Sequence, residues 1–215
     1  MTDTITPDQL GVGMRLSVHP HCDDYVAVIL GALEDAQHAG AGEGLEVETD
    51  EVSTYVAARG EHPEQRLVQY AAALVAAAHR RSDGGHVVAH VLLSRGCPGE
   101  ATCEPTAAQL PRATAIELPG TGIRAAAQWS LYPLLDGGPD DAHMDHIEAA
   151  IKEAQSRGTA AEPAHYATLL TGDLGDVLAT AADAWARVGQ EVAHVVTHLT
   201  VSVGSPSSGS HDVEG

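Results

Sequence analysis

His86 to Pro98 reads HVVAHVLLSRGCP and His194 to Pro206 reads HVVTHLTVSVGSP, roughly half identical without a gap. Two shorter matches keep the same order: RLSVHP at Arg15 to Pro20 answers QWSLYP at Gln128 to Pro133, and Ala36-Gln37 answers Ala154-Gln155. Three matches in register mean that one supersecondary unit occurs twice in the chain. The fold must therefore be one that about half of the 215 residues can satisfy.

The local pattern within each copy identifies the unit. Met14, Leu16 and Val18 alternate with Arg15, Ser17 and His19, the period of a strand with one face on a core. Asp23 and Asp24 suit the positive N-terminal end of a helix whose Val26, Ile29, Leu30 and Leu33 recur at helical spacing, with Gly40 as its stop. A strand pair follows over roughly Leu45 to Gly60. Pro63 then opens a second helix with an apolar stripe at Leu67, Tyr70, Ala71, Leu74 and Ala78, ended by Gly84 and Gly85. The repeated HVVAHVLLS is the closing strand. Copy two follows with Ala127 to Tyr132, Ala142 to Arg157, the region around Ala164 to Leu170, Asp176 to Val188, and His194 to Ser202.

The order β, α, β, β, α, β is the ferredoxin-like plan, two helices over one face of a four-stranded antiparallel sheet. The expected fold class is thus α+β: two tandem ferredoxin-like (βαββαβ) repeats with antiparallel sheets. Repeat 1 spans 11–99, a Pro- and Gly-rich linker 100–122, repeat 2 123–206, and a polar, disordered tail 207–215. Each sheet has one face without helices. Burying these faces against each other or against a second subunit is the simple expectation.

Charge and cysteine usage exclude several functions. A formal net charge of −19 repels phosphate backbones and anionic lipid heads, so neither nucleic acid nor direct membrane insertion is expected. No apolar run approaches the ~20 residues that span a bilayer. The N-terminus shows no basic, then apolar, leader, and the default compartment is the cytoplasm. Cys22, Cys97 and Cys103 are odd in number and lack CxxC spacing, which points to reduced thiols.

Candidate chemistry is sparse. His86 with His90 and His194 with His198 have the i, i+4 spacing of helical zinc pairs, but on a strand such residues stand ~13 Å apart, and no metal site is expected. The cluster His19, His21, Cys22, Asp23 reads equally as a strand-to-helix turn. No GxSxG elbow, cysteine nucleophile beside histidine or paired buried acids occurs, so no catalytic residue is assigned. Hydroxyl residues recur in both copies: Ser17 with Ser130, Thr54 with Thr168, Ser94 with Ser202. Hydroxyls that both donate and accept suit a neutral heterocycle with alternating donors and acceptors, and they also occur as ordinary strand residues.

In order and spacing, several segments resemble the YkoF-type family of thiamine- and hydroxymethylpyrimidine (HMP)-binding proteins. They are RLSVHPHCDDY at Arg15 to Tyr25, TDEVST at Thr49 to Thr54, SRGCPG at Ser94 to Gly99, QWSLYP at Gln128 to Pro133, HYAT at His165 to Thr168, and SVGSPS at Ser202 to Ser207. The resemblance implies a homodimer that binds thiamine or its pyrimidine precursor, one site per repeat, without catalysis or a resident cofactor, in vitamin B1 salvage or uptake. It points to Thr54 with Ser17 and Val18 in the first site, and to Thr168 and Tyr166 with Ala127 and Ser130 in the second. Asp50 is a partner for a pyrimidine amine or a turn residue; Ala164 stands opposite it, so a carboxylate contact would belong to the first site alone. Glu51 stands where the other copy has His165, and Val52 where it has Tyr166, so the two sites are not expected to bind equally. Two other functions remain: an adaptor that binds a transporter component, and an enzyme acting on a thiamine-related heterocycle.

Overall fold

The computed structural model describes residues 4–102, 109–134, 142–159 and 162–209. A short helix α1 (Pro7–Leu10), opened by a reciprocal Thr6/Gln9 capping box, precedes repeat 1. Repeat 1 comprises β1 (Gly13–Pro20), α2 (Tyr25–His38), β2 (Leu45–Thr49), β3 (Thr54–Ala58), α3 (Pro63–Arg81) and β4 (Val87–Arg95). Repeat 2 comprises β5 (Arg124–Leu134), α4 (Ala142–Ser156), β6 (Glu162–Ala164), β7 (Ala167–Asp173), α5 (Leu174–Val188) and β8 (His194–Val203). Both copies have the expected β, α, β, β, α, β order.

The sheets do not stack on each other. They join edge to edge into one eight-stranded antiparallel sheet, β2-β3-β1-β4-β8-β5-β7-β6, through the β4–β8 pair. The strand order reads the same from either end once the copies are equated, so a pseudo-twofold axis passes between β4 and β8. The joint satisfies the β4 and β8 edges with main-chain hydrogen bonds, leaves β2 and β6 as the outer strands, and lets both helix layers share one core. Strand alternation puts Val87, Ala89, Val91, Leu93 and Arg95 of β4 on the buried helix face, with Val195, Thr197, Leu199, Val201 and Val203 of β8 beside them. The four long helices cover this face, α3 against α5 at the centre and α2 and α4 outside. None of these four helices lies on the opposite face.

The stripe on α3 is buried as expected. That on α2 is not: Val28, Ala32 and Ala36 face the core, while Val26 and Leu30 are 53% and 58% exposed. Small residues let α2 lie close to α3, where Asp35 holds Arg81 in a bidentate pair at 2.7 and 2.8 Å. Asp24 occupies the N-cap position of α2 without making a side-chain cap. Part of the linker packs on repeat 2, since Ile116 is buried and its N–H donates to the buried Asp183 at 2.9 Å. Ser207 lies in a short 3-10 turn, Pro206–Gly209, and 210–215 fall outside the described residues. Cys22 and Cys97 are free thiols; Cys103 is outside the described residues. No described helix is long and apolar enough to cross a membrane.

Candidate functional site

Strand register decides which of the recurring hydroxyls can act together. Opposite residues in an antiparallel pair share a face. Thr54 lies opposite Leu16 and Thr168 opposite Trp129, so both threonines are on the helix face, at the outer margin of the core. Val18 and Ala127 lie on the same face as these threonines. Ser17 and Ser130 alternate to the other, helix-free face, opposite His90 and His198. The sheet therefore separates each serine from the threonine of its own repeat.

In repeat 2, Thr168 opens onto a cavity of about 480 Å³ between the end of β5, the exposed side of α4 and the β6–β7 turn. That volume is within the ~300–1,000 Å³ of small-molecule sites. Trp129, Leu131, Ile147 and Ile151 supply apolar walls, His143 and Met144 stand at the start of α4, and Tyr166 overhangs from the turn. Trp129 is held rigidly, because its Nε1–H donates to Thr197 Oγ1 at 2.8 Å and that hydroxyl donates to the Ser130 carbonyl at 2.9 Å. Tyr166 is fully exposed at φ 67, a left-handed conformation that a tyrosine adopts at a cost. The Thr168 hydroxyl has no side-chain partner among the described residues.

Repeat 1 presents the counterpart positions in a different state. Aligning the copies equates Tyr25, Val26, Ile29 and Leu33 with His143, Met144, Ile147 and Ile151, and Leu16 with Trp129. Tyr25, Val26 and Val52 are exposed, so the same place is again apolar and open to solvent. Here, however, the Thr54 hydroxyl is paired with that of Thr49 at 3.0 Å. Pro163 takes the place of Thr49 in repeat 2 and cannot make that bond. The asymmetry expected from Glu51/His165 and Val52/Tyr166 thus has a further origin one residue pair away.

Asp50 is committed locally. Its Oδ1 accepts the N–H groups of Val52 and Ser53 at 2.8 and 2.9 Å, and its Oδ2 pairs with Arg15 at 2.6 Å. The two turn amides, and then Arg15, hold its pKa down to about 2. The turn-residue reading accounts for its contacts.

The histidines gather on the helix-free face. His90 stacks on His198 at 6.2 Å and meets His19 edge-on at 5.6 Å, while His21 packs on His86 at 4.3 Å. Two of them have a hydroxyl partner on β8: His86 with Ser202 at 2.9 Å and His90 with Thr200 at 3.2 Å. Burial, followed by neighbouring imidazoles, lowers the pKa of His19, His86 and His198. No group of three or more His, Cys, Asp or Glu among the described residues is arranged to hold a metal ion.

The α4 residues His143, Met144, Ile147 and Ile151 were not singled out from the sequence as site residues. A signal was present: the Ala36-Gln37/Ala154-Gln155 match fixes the helix alignment, and Met144, Ile147 and Ile151 have helical spacing on one side.

Comparison with known proteins gives two matches. Residues 124–208, most of repeat 2, match the family described as the YKOF-related Family. The chain is also 28% identical over 196 residues, 91% of its own length and 91% of the relative's, to the Bacillus subtilis (strain 168) protein named "Putative HMP/thiamine-binding protein YkoF". The family resemblance carried by the motifs is thus met by repeat 2 in one comparison and by nearly the whole chain in the other.

Proposed function

Taking this kinship with the YkoF-type family as the premise, we propose that the chain binds HMP or thiamine without transforming it, one molecule per repeat. The carrying observation is the repeat 2 cavity, where the Thr168 hydroxyl, without a side-chain partner among the described residues, stands at the edge of an apolar chamber walled by Trp129. An aminopyrimidine is flat, and its ring faces suit Trp129, Leu131 and Ile147. Its nitrogen edge needs a hydroxyl that can donate or accept. The repeat 1 site is the weaker one, because a ligand must first take Thr54 away from Thr49. Binding requires no resident cofactor, and an acidic chain attracts the thiazolium cation of thiamine.

The homodimer belongs to this reading, with the helix-free faces of two chains as the contact. So does a place in vitamin B1 salvage or uptake in the cytoplasm. The test is calorimetric titration with HMP, thiamine and its phosphates, with unrelated heterocycles as controls, followed by mass spectrometry of the recovered ligand. Saturable binding of the pyrimidine compounds alone and unchanged recovery are expected. A new product would assign the chain to enzymes instead. Sedimentation at micromolar protein should give a dimer, and a monomer alone would contradict that part. A complex with a transporter component that forms without ligand would displace binding as the primary role.

A further inference from the structure

The two ends of the eight-stranded sheet are finished differently. At the repeat 2 end, β6 has three residues, and Pro163 stands in it opposite Thr168. At the repeat 1 end, β2 has five residues, LEVET, and no proline. Strand register shows which of its main-chain groups are free. The β2–β3 turn closes with the Asp50 N–H donating to the Ser53 carbonyl at 3.0 Å. The next pair, Thr49 and Thr54, therefore exchanges no main-chain bonds, and neither does Val47 with Val56. The N–H and C=O groups of Val47 and Thr49 point outward, away from β3. Pro163 holds the place of Thr49, so in repeat 2 an outward position carries a residue that blunts the edge.

The side chains along the β2 edge differ by face. On the helix face, Val47 is 42% exposed. Gly31 and Asp35 of α2 lie against Arg81 of α3, and helical spacing turns Ile29, Leu30 and Leu33 away from α3, over the outer strand. Leu30 is exposed, and its counterpart on α4 is Glu148. On the other face, Glu46 pairs with Arg59 at 2.9 Å and Glu48 is exposed. From Glu43 to Glu51 there are five acids and no Lys or Arg. Of these, Glu43, Glu48 and Glu51 make no ion pair among the described residues.

We infer that the β2 edge is a docking site for an extended segment of another protein in which apolar and basic residues alternate. The segment continues the sheet antiparallel to β2 and bonds to the outward main-chain groups of Val47 and Thr49. Its apolar side chains lie beside Val47 under the outer side of α2, and its basic ones meet Glu48. A second copy of this chain does not fit. Antiparallel pairing of two β2 strands about Val47 would set Glu46 of each chain against Glu48 of the other, like charges directly opposite. The contact lies beyond the last strand and leaves the central strands of the helix-free face to the homodimer. It does not depend on the pyrimidine reading, whose repeat 1 site is at Thr54.

The probe is a capped octapeptide of alternating valine and lysine, labelled with fluorescein and titrated into the full chain by anisotropy. One saturable site per chain is expected. A peptide of the same composition with its valines and lysines in two blocks should bind at least about tenfold more weakly. N-methylation of the valines, whose amides face β2, should abolish binding, whereas N-methylation of the lysines should not. Val47→Pro removes an outward donor without breaking a β2–β3 bond and should abolish binding with the circular dichroism spectrum intact. Glu48→Lys, at an exposed position, should weaken binding about tenfold and shift preference to an alternating valine–glutamate peptide. Absence of saturable binding, equal affinity for the block peptide, indifference to valine methylation, or parent affinity in both variants would overturn the inference.

Discussion

Val91 of β4 faces Leu199 of β8 directly across the centre of the sheet, and the two are the same position of the repeat. The pseudo-twofold axis runs between them. Both are buried, on the face covered by α3 and α5, so the joint between the repeats lies in the middle of one core.

Leu199→Ala should therefore destabilise both repeats together, by about 2–5 kcal/mol for a buried leucine truncated where the surroundings relax little. Urea unfolding followed by far-UV circular dichroism and by tryptophan fluorescence should give coincident transitions for parent and variant, since both tryptophans report on repeat 2. Separate transitions would mean that the repeats fold as independent units.

The imidazoles on the helix-free face set a pH dependence. Burial first, then neighbouring histidines, lowers the folded pKa of His19, His86 and His198 below their ordinary value. The unfolded chain then binds more protons, so stability is present above about pH 6.5 and is lost as pH falls through the folded values. NMR titration of His90→Gln should move the midpoints of His19 and His198 upward and leave His86, whose neighbour is His21, where it was. Unchanged midpoints for all three would remove the stacked cluster from the account.

Asp50 should titrate near pH 2 in the folded chain. Its stabilisation of the β2–β3 turn is present above its unfolded pKa of about 3.9 and is lost as pH falls toward the folded value. A carboxyl chemical-shift titration checks this directly. Arg15→Gln should raise the midpoint only in part, because the Val52 and Ser53 amides, not Arg15, have the largest effect.

The repeat was legible because alternation and helical spacing recur in both copies, and the unit order follows from them. The edge-to-edge joint was not. The alternation in HVVAHVLLS says which side chains are buried, whereas partner choice along a strand edge is made by main-chain groups that every residue carries. Similarly, Thr54 and Thr168 emerged by recurrence, and Ser17 could have been placed on the other face by its alternation with Leu16 and Val18. The Thr49–Thr54 pair and the contribution of α4 needed the strand register and the helix orientation, which no local pattern encodes. Exposure of Leu30 on α2 has the same origin, because the packing of Gly31, Ala32 and Ala36 sets the rotation of that helix.

The central claim concerns the two threonine hydroxyls. A two-site calorimetric titration with thiamine and HMP, run on the parent, Thr168→Val, Thr54→Val and the double variant, tests it most directly. Valine keeps the β-branched shape of the strand residue and removes only the hydroxyl, leaving a ligand edge unpaired at about 1–3 kcal/mol. Thr168→Val should weaken the repeat 2 site by roughly tenfold to a hundredfold. Thr54→Val should weaken the repeat 1 site less, since the parent hydroxyl is already bonded to Thr49. The two effects should add, the residues sharing no partner. If all three variants fold and titrate as the parent does, the hydroxyls are ordinary strand residues and the pyrimidine lies elsewhere.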